Sequence, residues 1–101
     1  MAVDAKLSYT AAVILKAVAA GQRYGFGVME SIGLPSGTVY PALRRLEASG
    51  AISSQWERER IAQAGQRPPR KYYKLTRAGL ELLNNAEQRY RLPEFAESER
   101  E

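Results

Sequence analysis

At 101 residues the chain is the size of one domain, large enough for a single hydrophobic core but too small to enclose a sizeable catalytic cleft beside it. It contains neither cysteine nor histidine, which removes disulfides, thiol nucleophiles, imidazole bases and the usual zinc ligands together. The net charge of +4 and pI of 9.6 make nucleic acid a reasonable partner.

That charge is concentrated. Residues 36–77 carry nine basic and three acidic side chains, net +6, whereas residues 1–35 sum to +1 and residues 78–101 to −3. The positive potential is therefore focused on the middle of the chain, and the acidic C-terminal segment is expected to face away from a polyanion. The opening MAVDAKLSYT carries Asp4 and no basic run, and Lys16 interrupts the apolar stretch Ala11–Val18. Neither a signal peptide nor a membrane span is expected, and the expected location is the cytoplasm.

Residues 8–20 read as a first helix, capped by Ser8 or Thr10 and stopped by Gly21. Its interior is Ala-rich, with Ile14, Leu15 and Val18 on a broad apolar surface that suits either a core or a dimer interface. The segment Gly21–Gly33 holds a second, short helix whose apolar stripe is Phe26 and Met29 with Val28 and Ile32. Gly25 and Gly27 weaken it by about 1 kcal/mol each relative to Ala, so tertiary packing must hold it. Close packing of helices accounts for this pair better than a phosphate cradle, because no strand precedes the G-x-G.

A third helix runs from Ser36, its expected N-cap after Pro35, to the stop at Gly50. At about 100° per residue, Val39, Ala42, Leu43 and Leu46 fall on one side, while Gly37, Tyr40, Pro41, Arg44, Arg45 and Ala48 fall on the other. The second face has two readings. It is an ordinary solvated surface with two arginines, or it is the guanidinium, phenol and small-residue inventory of a helix that enters a DNA major groove. Pro41 is expected to fix the N-terminal part of the helix, leaving Thr38, Tyr40 and Pro41 near the positive end of the dipole.

After Gly50 the period changes from 3.6 to 2. Ile52, Ser54 and Trp56 alternate with Ser53, Gln55 and Glu57, and Arg70–Leu75 supplies a second strand with Lys71, Tyr73 and Leu75 on one face. Between them RERIAQAGQRPP forms the long basic tip of a hairpin, which must rest on the helices to be stable. Trp56 is expected to pack against those helices. From Thr76, an N-cap, a last helix carries Gly79, Leu83, Ala86 and Tyr90 at helical spacing and ends or kinks at Pro93. This stripe is either core or a dimer seam; Tyr90 lies about 20 Å from Thr76 at 1.5 Å per residue, beyond the expected reach of a small core, which favours the seam. Residues 95–101 are expected to fray.

Helices, a basic-faced third helix and a basic hairpin, in this order, describe a winged helix-turn-helix: mainly α with a small β-hairpin, plus a C-terminal dimerisation helix. Ser36–Glu47, then Gly50-Ala51-Ile52, then Pro69–Thr76 with Gly79 also resemble the PadR family of transcriptional regulators, named for the phenolic-acid-decarboxylase repressor. The resemblance covers residues 8–90. It implies a homodimeric repressor whose third helix enters the major groove while the wing touches the backbone or minor groove. By match to the family motif, Ser36, Thr38, Tyr40 and Pro41 lie against DNA, with Arg70 and Lys71 at the wing. The chain departs from the family where Tyr24-Gly25-Phe26 replaces the usual His-Gly-Tyr, which leaves Tyr24 to substitute for the phenol, and where the link between second and third helices is shorter.

The expected organisation is a DNA-binding domain over residues 1–75, followed by the dimerisation helix and tail over 76–101. The expected DNA-contacting set is Tyr24, Ser36, Gly37, Thr38, Tyr40, Pro41, Arg44, Arg45, Arg67, Arg70 and Lys71. The expected dimer interface is Leu15, Leu80, Leu83, Ala86 and Tyr90. No catalytic residue, metal site or cofactor is expected. The expected partners are a double-stranded DNA operator and a second copy of the chain, with a small aromatic effector compatible with the family resemblance and no membrane. Arg58, Arg60, Arg67, Arg70 and Lys71 would add nonspecific attraction; about eight neutralised phosphates per dimer give a log K against log salt slope near −7. The competing reading is a winged-helix adaptor whose basic hairpin meets an acidic protein.

Overall fold

Ser8 sets the start of the fold by accepting a hydrogen bond from the Ala11 N–H at 3.1 Å, which satisfies one of the donors a helix start leaves open. In the computed structural model, which describes residues 6–95, this cap opens α1 (Tyr9–Ala19). Ala12, Ile14, Leu15 and Ala17 are completely buried, and α1 packs against the second, third and last helices and the second strand. Burial of each large aliphatic side chain here contributes about 1.5–3 kcal/mol. Lys16 leaves this apolar helix sideways, pairing with Glu87 at 2.9 Å and Glu94 at 3.3 Å. The hydrogen bond to Glu87 raises its pKa above the ordinary lysine value.

The chain then turns at Gly21, where φ is +106°. Residues 23 and 24 run alongside the sheet: the Tyr73 N–H donates to the Arg23 carbonyl at 2.6 Å, and Tyr24 bridges Tyr72. The second helix consequently begins only at Gly25 and spans Gly25–Ile32 as α2. Val28 is its fully buried side chain. Phe26 is 53 % exposed, contrary to its expected place in the apolar stripe, because Val28, Met29 and Ile32 occupy the inward side.

α3 spans Ser36–Ala48. Pro35, rather than the expected Ser36, takes the N-cap position: its extended backbone lets its carbonyl accept from the N–H groups of both Thr38 and Val39 at 3.0 Å. Ser36 is already the first helical residue and is exposed. The helix continues through Pro41, whose missing N–H leaves the carbonyl of exposed Gly37 without its intrahelical donor. Val39 and Leu43 are fully buried, with Ala42 and Leu46 nearly so.

Gly50, at φ +86°, redirects the chain into β1 (Ile52–Trp56), which pairs antiparallel with β2 (Lys71–Leu75) in the register Ile52↔Leu75 to Trp56↔Lys71. Ile52 and Tyr73 point into the core. Trp56 does not pack on the helices as expected. At the far end of β1 it is 63 % exposed. The hairpin tip contains a short helix, α4 (Glu59–Ala64), that the residue pattern does not reveal. A segment of this length is shorter than the window in which a helical period declares itself.

Thr76 joins the wing to the last helix. Its hydroxyl oxygen accepts from the Gly79 N–H at 3.0 Å while the O–H donates to the Gly50 carbonyl at 2.6 Å. Gly79 is required by close approach: a Cβ there would lie 2.9 Å from the Ala51 carbonyl carbon. The helix, α5 (Arg77–Arg89), ends before Pro93, and Leu92 returns to the core.

The stripe expected to form a dimer seam is largely spoken for within the chain. Leu83, Ala86 and Leu15 are buried in one cluster with Ile14, Val39 and Leu43, so they have almost no surface for a partner. Tyr90 is also within reach of the core. Its O–H donates to the Leu7 carbonyl at 2.9 Å and its ring meets Tyr9 edge-on at 5.4 Å. Of the expected interface residues, Leu80 keeps the most open surface, at 47 % exposed. The expected boundary at Thr76 thus runs through a shared core. Phe95 packs against that core, and residues 96–101, expected to fray, lie outside the described residues. No helix among the described residues is long and apolar enough to cross a membrane.

Candidate nucleic-acid interface

The buried side of α3 leaves Ser36, Gly37, Tyr40, Arg44 and Arg45 exposed and Thr38 and Pro41 half-buried. Tyr40 is held from below. Its ring lies on the first turn of α2, where a Cβ on Gly25 would come within 2.6 Å of both Cζ and the hydroxyl oxygen. Any side chain at position 25 would push the ring away, so the glycine sets how closely α2 and α3 approach. The 38 % of Tyr40 that stays exposed is what a ligand can meet.

Opposite α3, across an open cleft of 710 Å³, stands the wing formed by β1, α4 and β2. Tyr24, Tyr40, Arg44, Trp56, Arg70 and Lys71 are among its walls. Arg44 borders this cleft and Arg45 does not, a difference that the helical wheel could not give. Phe26 and Trp56, both exposed aromatics, also line it, and sequence reasoning placed neither in the site. The available signals were the position of Phe26 between two glycines at a helix start and that of Trp56 at the strand end farthest from the helices.

Aromatic and cationic groups alternate where the wing meets α2. Tyr24 packs edge-on against Tyr72 at 5.7 Å, and the Arg70 guanidinium lies 4.2 Å above the Tyr24 ring. A guanidinium in this position is attracted by the ring face and can still offer donors outward. Tyr24 therefore supports a cation and pairs with the sheet.

Two carboxylates tie the wing together. Glu47 on α3 accepts from the Ser54 hydroxyl and pairs with Lys71 at 3.4 Å. The Ser54 hydrogen bond, reinforced by Lys71, holds its pKa below the ordinary glutamate value. Glu57, just past β1, is more tightly held. Its carboxylate meets the two terminal nitrogens of the Arg67 guanidinium end-on, with Nη2 donating at 2.8 Å, and also accepts from the Arg70 N–H at 3.2 Å and the Tyr72 O–H at 3.3 Å. The Arg67 hydrogen bond above all, helped by the Arg70 N–H and Tyr72 and opposed by burial, lowers its pKa to about 2.

These pairings engage two of the wing cations in the expected DNA-contacting set. Arg67 was expected to contact phosphate, but both of its terminal nitrogens are engaged by Glu57 and the side chain is only 27 % exposed. Lys71 is partly neutralised by Glu47. Arg44, Arg45, Arg58, Arg60 and Arg70 form no ion pair among the described residues. The described residues also contain no cluster of acidic side chains suited to a metal ion.

The arrangement agrees with what the chain is similar to. Residues 14–85, which include α2, α3 and the whole wing, match the family model described as the transcriptional regulator PadR-like family. Among solved structures, a PadR family transcription regulator from Clostridium difficile R20291 is 28 % identical, with a TM-score of 0.71 over 83 % of this chain and 88 % of that one. A protein from Streptococcus mutans UA159 is 26 % identical, with a TM-score of 0.67 over 86 % of this chain and 82 % of that one. A PadR family transcriptional regulator from Eggerthella lenta DSM 2243 is 27 % identical, with a TM-score of 0.63 over 82 % of this chain and 75 % of that one. No curated protein sequence matches the chain significantly.

Proposed function

Because the chain belongs to the PadR-like family of transcriptional regulators, we propose that this DNA-binding protein is a repressor acting as a homodimer, each protomer placing α3 in a major groove of a palindromic operator. Members of the family are non-enzymatic regulators. The single observation that carries the reading is the outer face of α3. Gly37, Tyr40, Arg44 and Arg45 stand exposed on a helix whose other side is anchored in the core, beside a wing that adds further arginines. Gly37 admits close approach of a backbone, the arginines suit phosphate or a guanine edge, and the rim of Tyr40 suits base or sugar.

In this reading Thr38 and Tyr40 read sequence and Arg58, Arg60 and Arg70 supply attraction to phosphate. The protomers meet through the outer side of α5, with Leu80 at the contact. Two-fold symmetry then places half-sites about 34 Å apart, or a multiple of that distance. With Arg67 paired to Glu57 in each protomer, about six phosphates rather than eight are neutralised per dimer, and the slope of log K against log salt comes near −5.

Selection of bound duplexes from a random pool tests the proposal directly. A palindrome with half-sites one turn apart is the expected product. Absence of any enriched sequence, with a salt slope near zero, would instead favour a protein-binding adaptor. The assembly is checked separately by Leu80→Asp, which is expected to sediment as a monomer while changing stability by no more than about 0.5 kcal/mol.

A further inference from the structure

A wing that approaches a polyanion gains from every cation and loses from every anion, yet this wing carries a nearly buried carboxylate at its neck. The Glu57 side chain is 5 % exposed. Its position closes the loop formed by residues 58–69: the Glu57 N–H donates to the Arg70 carbonyl at 2.7 Å, and the Arg70 N–H donates back to the carboxylate at 3.2 Å. From inside the loop, Arg67 grips both carboxylate oxygens and also reaches the Pro68 carbonyl at 3.4 Å. From β2, Tyr72 adds its hydroxyl, and the same Tyr72 ring packs on Tyr24, over which Arg70 lies.

We infer that Glu57 is a positioning residue for DNA recognition: by engaging Arg67, the Arg70 backbone and Tyr72 at once, it holds the wing tip and the Arg70–Tyr24 pair at one fixed separation from α3. The inference rests on the DNA-reading function proposed above. Its physical content is an exchange of charge for geometry. One anion is added near phosphate and one guanidinium is withdrawn from it, both of which weaken nonspecific attraction. In return the loop between Glu57 and Arg70 is closed at its base, so that the cations it carries meet the backbone in a defined register with α3. A two-pronged guanidinium–carboxylate pair suits this task because its two parallel hydrogen bonds fix orientation as well as distance.

Charge and geometry predict opposite results for Glu57→Gln. If only charge matters, removing the anion and releasing Arg67 strengthens binding to operator and random duplex alike. If Glu57 positions the wing, random-duplex affinity rises or holds and its salt slope steepens by about 1 to 2 per dimer as the two Arg67 side chains reach phosphate. The ratio of operator to random-duplex affinity then falls by about tenfold or more. Arg67→Lys provides a second arm that leaves net charge unchanged. It keeps the cation but cannot make the two-pronged contact, and the same ratio is expected to fall by about fivefold while the chain stays folded at the assay temperature. Both variants are measured as full-length protein against the selected operator and a scrambled duplex. A ratio preserved in both variants overturns this inference and leaves the functional proposal standing. A wild-type chain with no sequence preference overturns the functional proposal, and the inference with it.

Discussion

Along α3 the arginines at 44 and 45 extend from a helix pinned by Val39, Leu43 and Leu46, and neither enters an ion pair among the described residues. On the wing, Arg67 and Lys71 face carboxylates, and Arg70 rests on an aromatic ring. The two regions border the same cleft with similar side chains and use them differently. The difference follows from how each is held. A helix seated in the core has its backbone satisfied and its orientation fixed by apolar burial, so its outer side chains are available. A two-stranded hairpin has too little apolar surface for that, and part of its charge must maintain its own shape.

The contrast can be broken most severely from the inside of α3. Leu43→Ala removes a fully buried side chain and is expected to cost about 2–5 kcal/mol, read as a lower urea midpoint. If it costs less than about 1 kcal/mol, α3 is not anchored as described. Gly25→Val acts between the two regions. The Tyr40 ring must shift, and operator affinity is expected to fall by about 2 kcal/mol, more than folding stability does. Equal losses in both would mean that Tyr40 is simply structural.

Arg44→Ala and Arg45→Ala sharpen the comparison within α3 itself. Arg44, which lines the cleft with the wing, is expected to weaken operator and random duplex together, by about 1 kcal/mol. Arg45 lies outside the cleft, and its loss is expected to reduce discrimination between sequences by about 1–3 kcal/mol. The reverse pattern would exchange their roles.

The smallest effect at neutral pH concerns Glu57. Its folded pKa is depressed, so its stabilising contribution is present above the ordinary glutamate value. It diminishes as pH falls from that value toward about 2, where the folded carboxylate takes up its proton. Trp56 is the chain's one tryptophan and adjoins Glu57, so its fluorescence is a suitable probe. A titration midpoint near 2 is expected, while one in the ordinary glutamate range would show that the clamp does not form.

Much of this architecture is legible in the residues themselves. Thr76 and the choice between Ser8 and Thr10 announced helix starts, the apolar spacing of Val39, Leu43 and Leu46 identified the buried side of α3, and alternation from Ile52 identified the first strand. Other signals are ambiguous because they depend on distant partners. Gly79, Leu83, Ala86 and Tyr90 form a helical stripe whether they meet a second protomer or α1. Here Leu83 and Ala86 meet the chain's own core and Tyr90 reaches Leu7. Phe26 and Trp56 read as core by residue type, yet both stand at the cleft.

The sequence by itself determined the order of the four longer helices and the two strands, though not the short α4 between the strands, together with the identity of the basic-faced helix and the concentration of positive charge, since periodicity, caps and composition are properties of neighbouring residues. Only the tertiary structure decided which charges remain available. Glu57 and Arg67 are ten residues apart and Glu47 and Lys71 still farther, and it is strand register and the closure of the wing that bring each pair together. A cation's availability depends on what lies next to it in space, and that is settled when the chain folds.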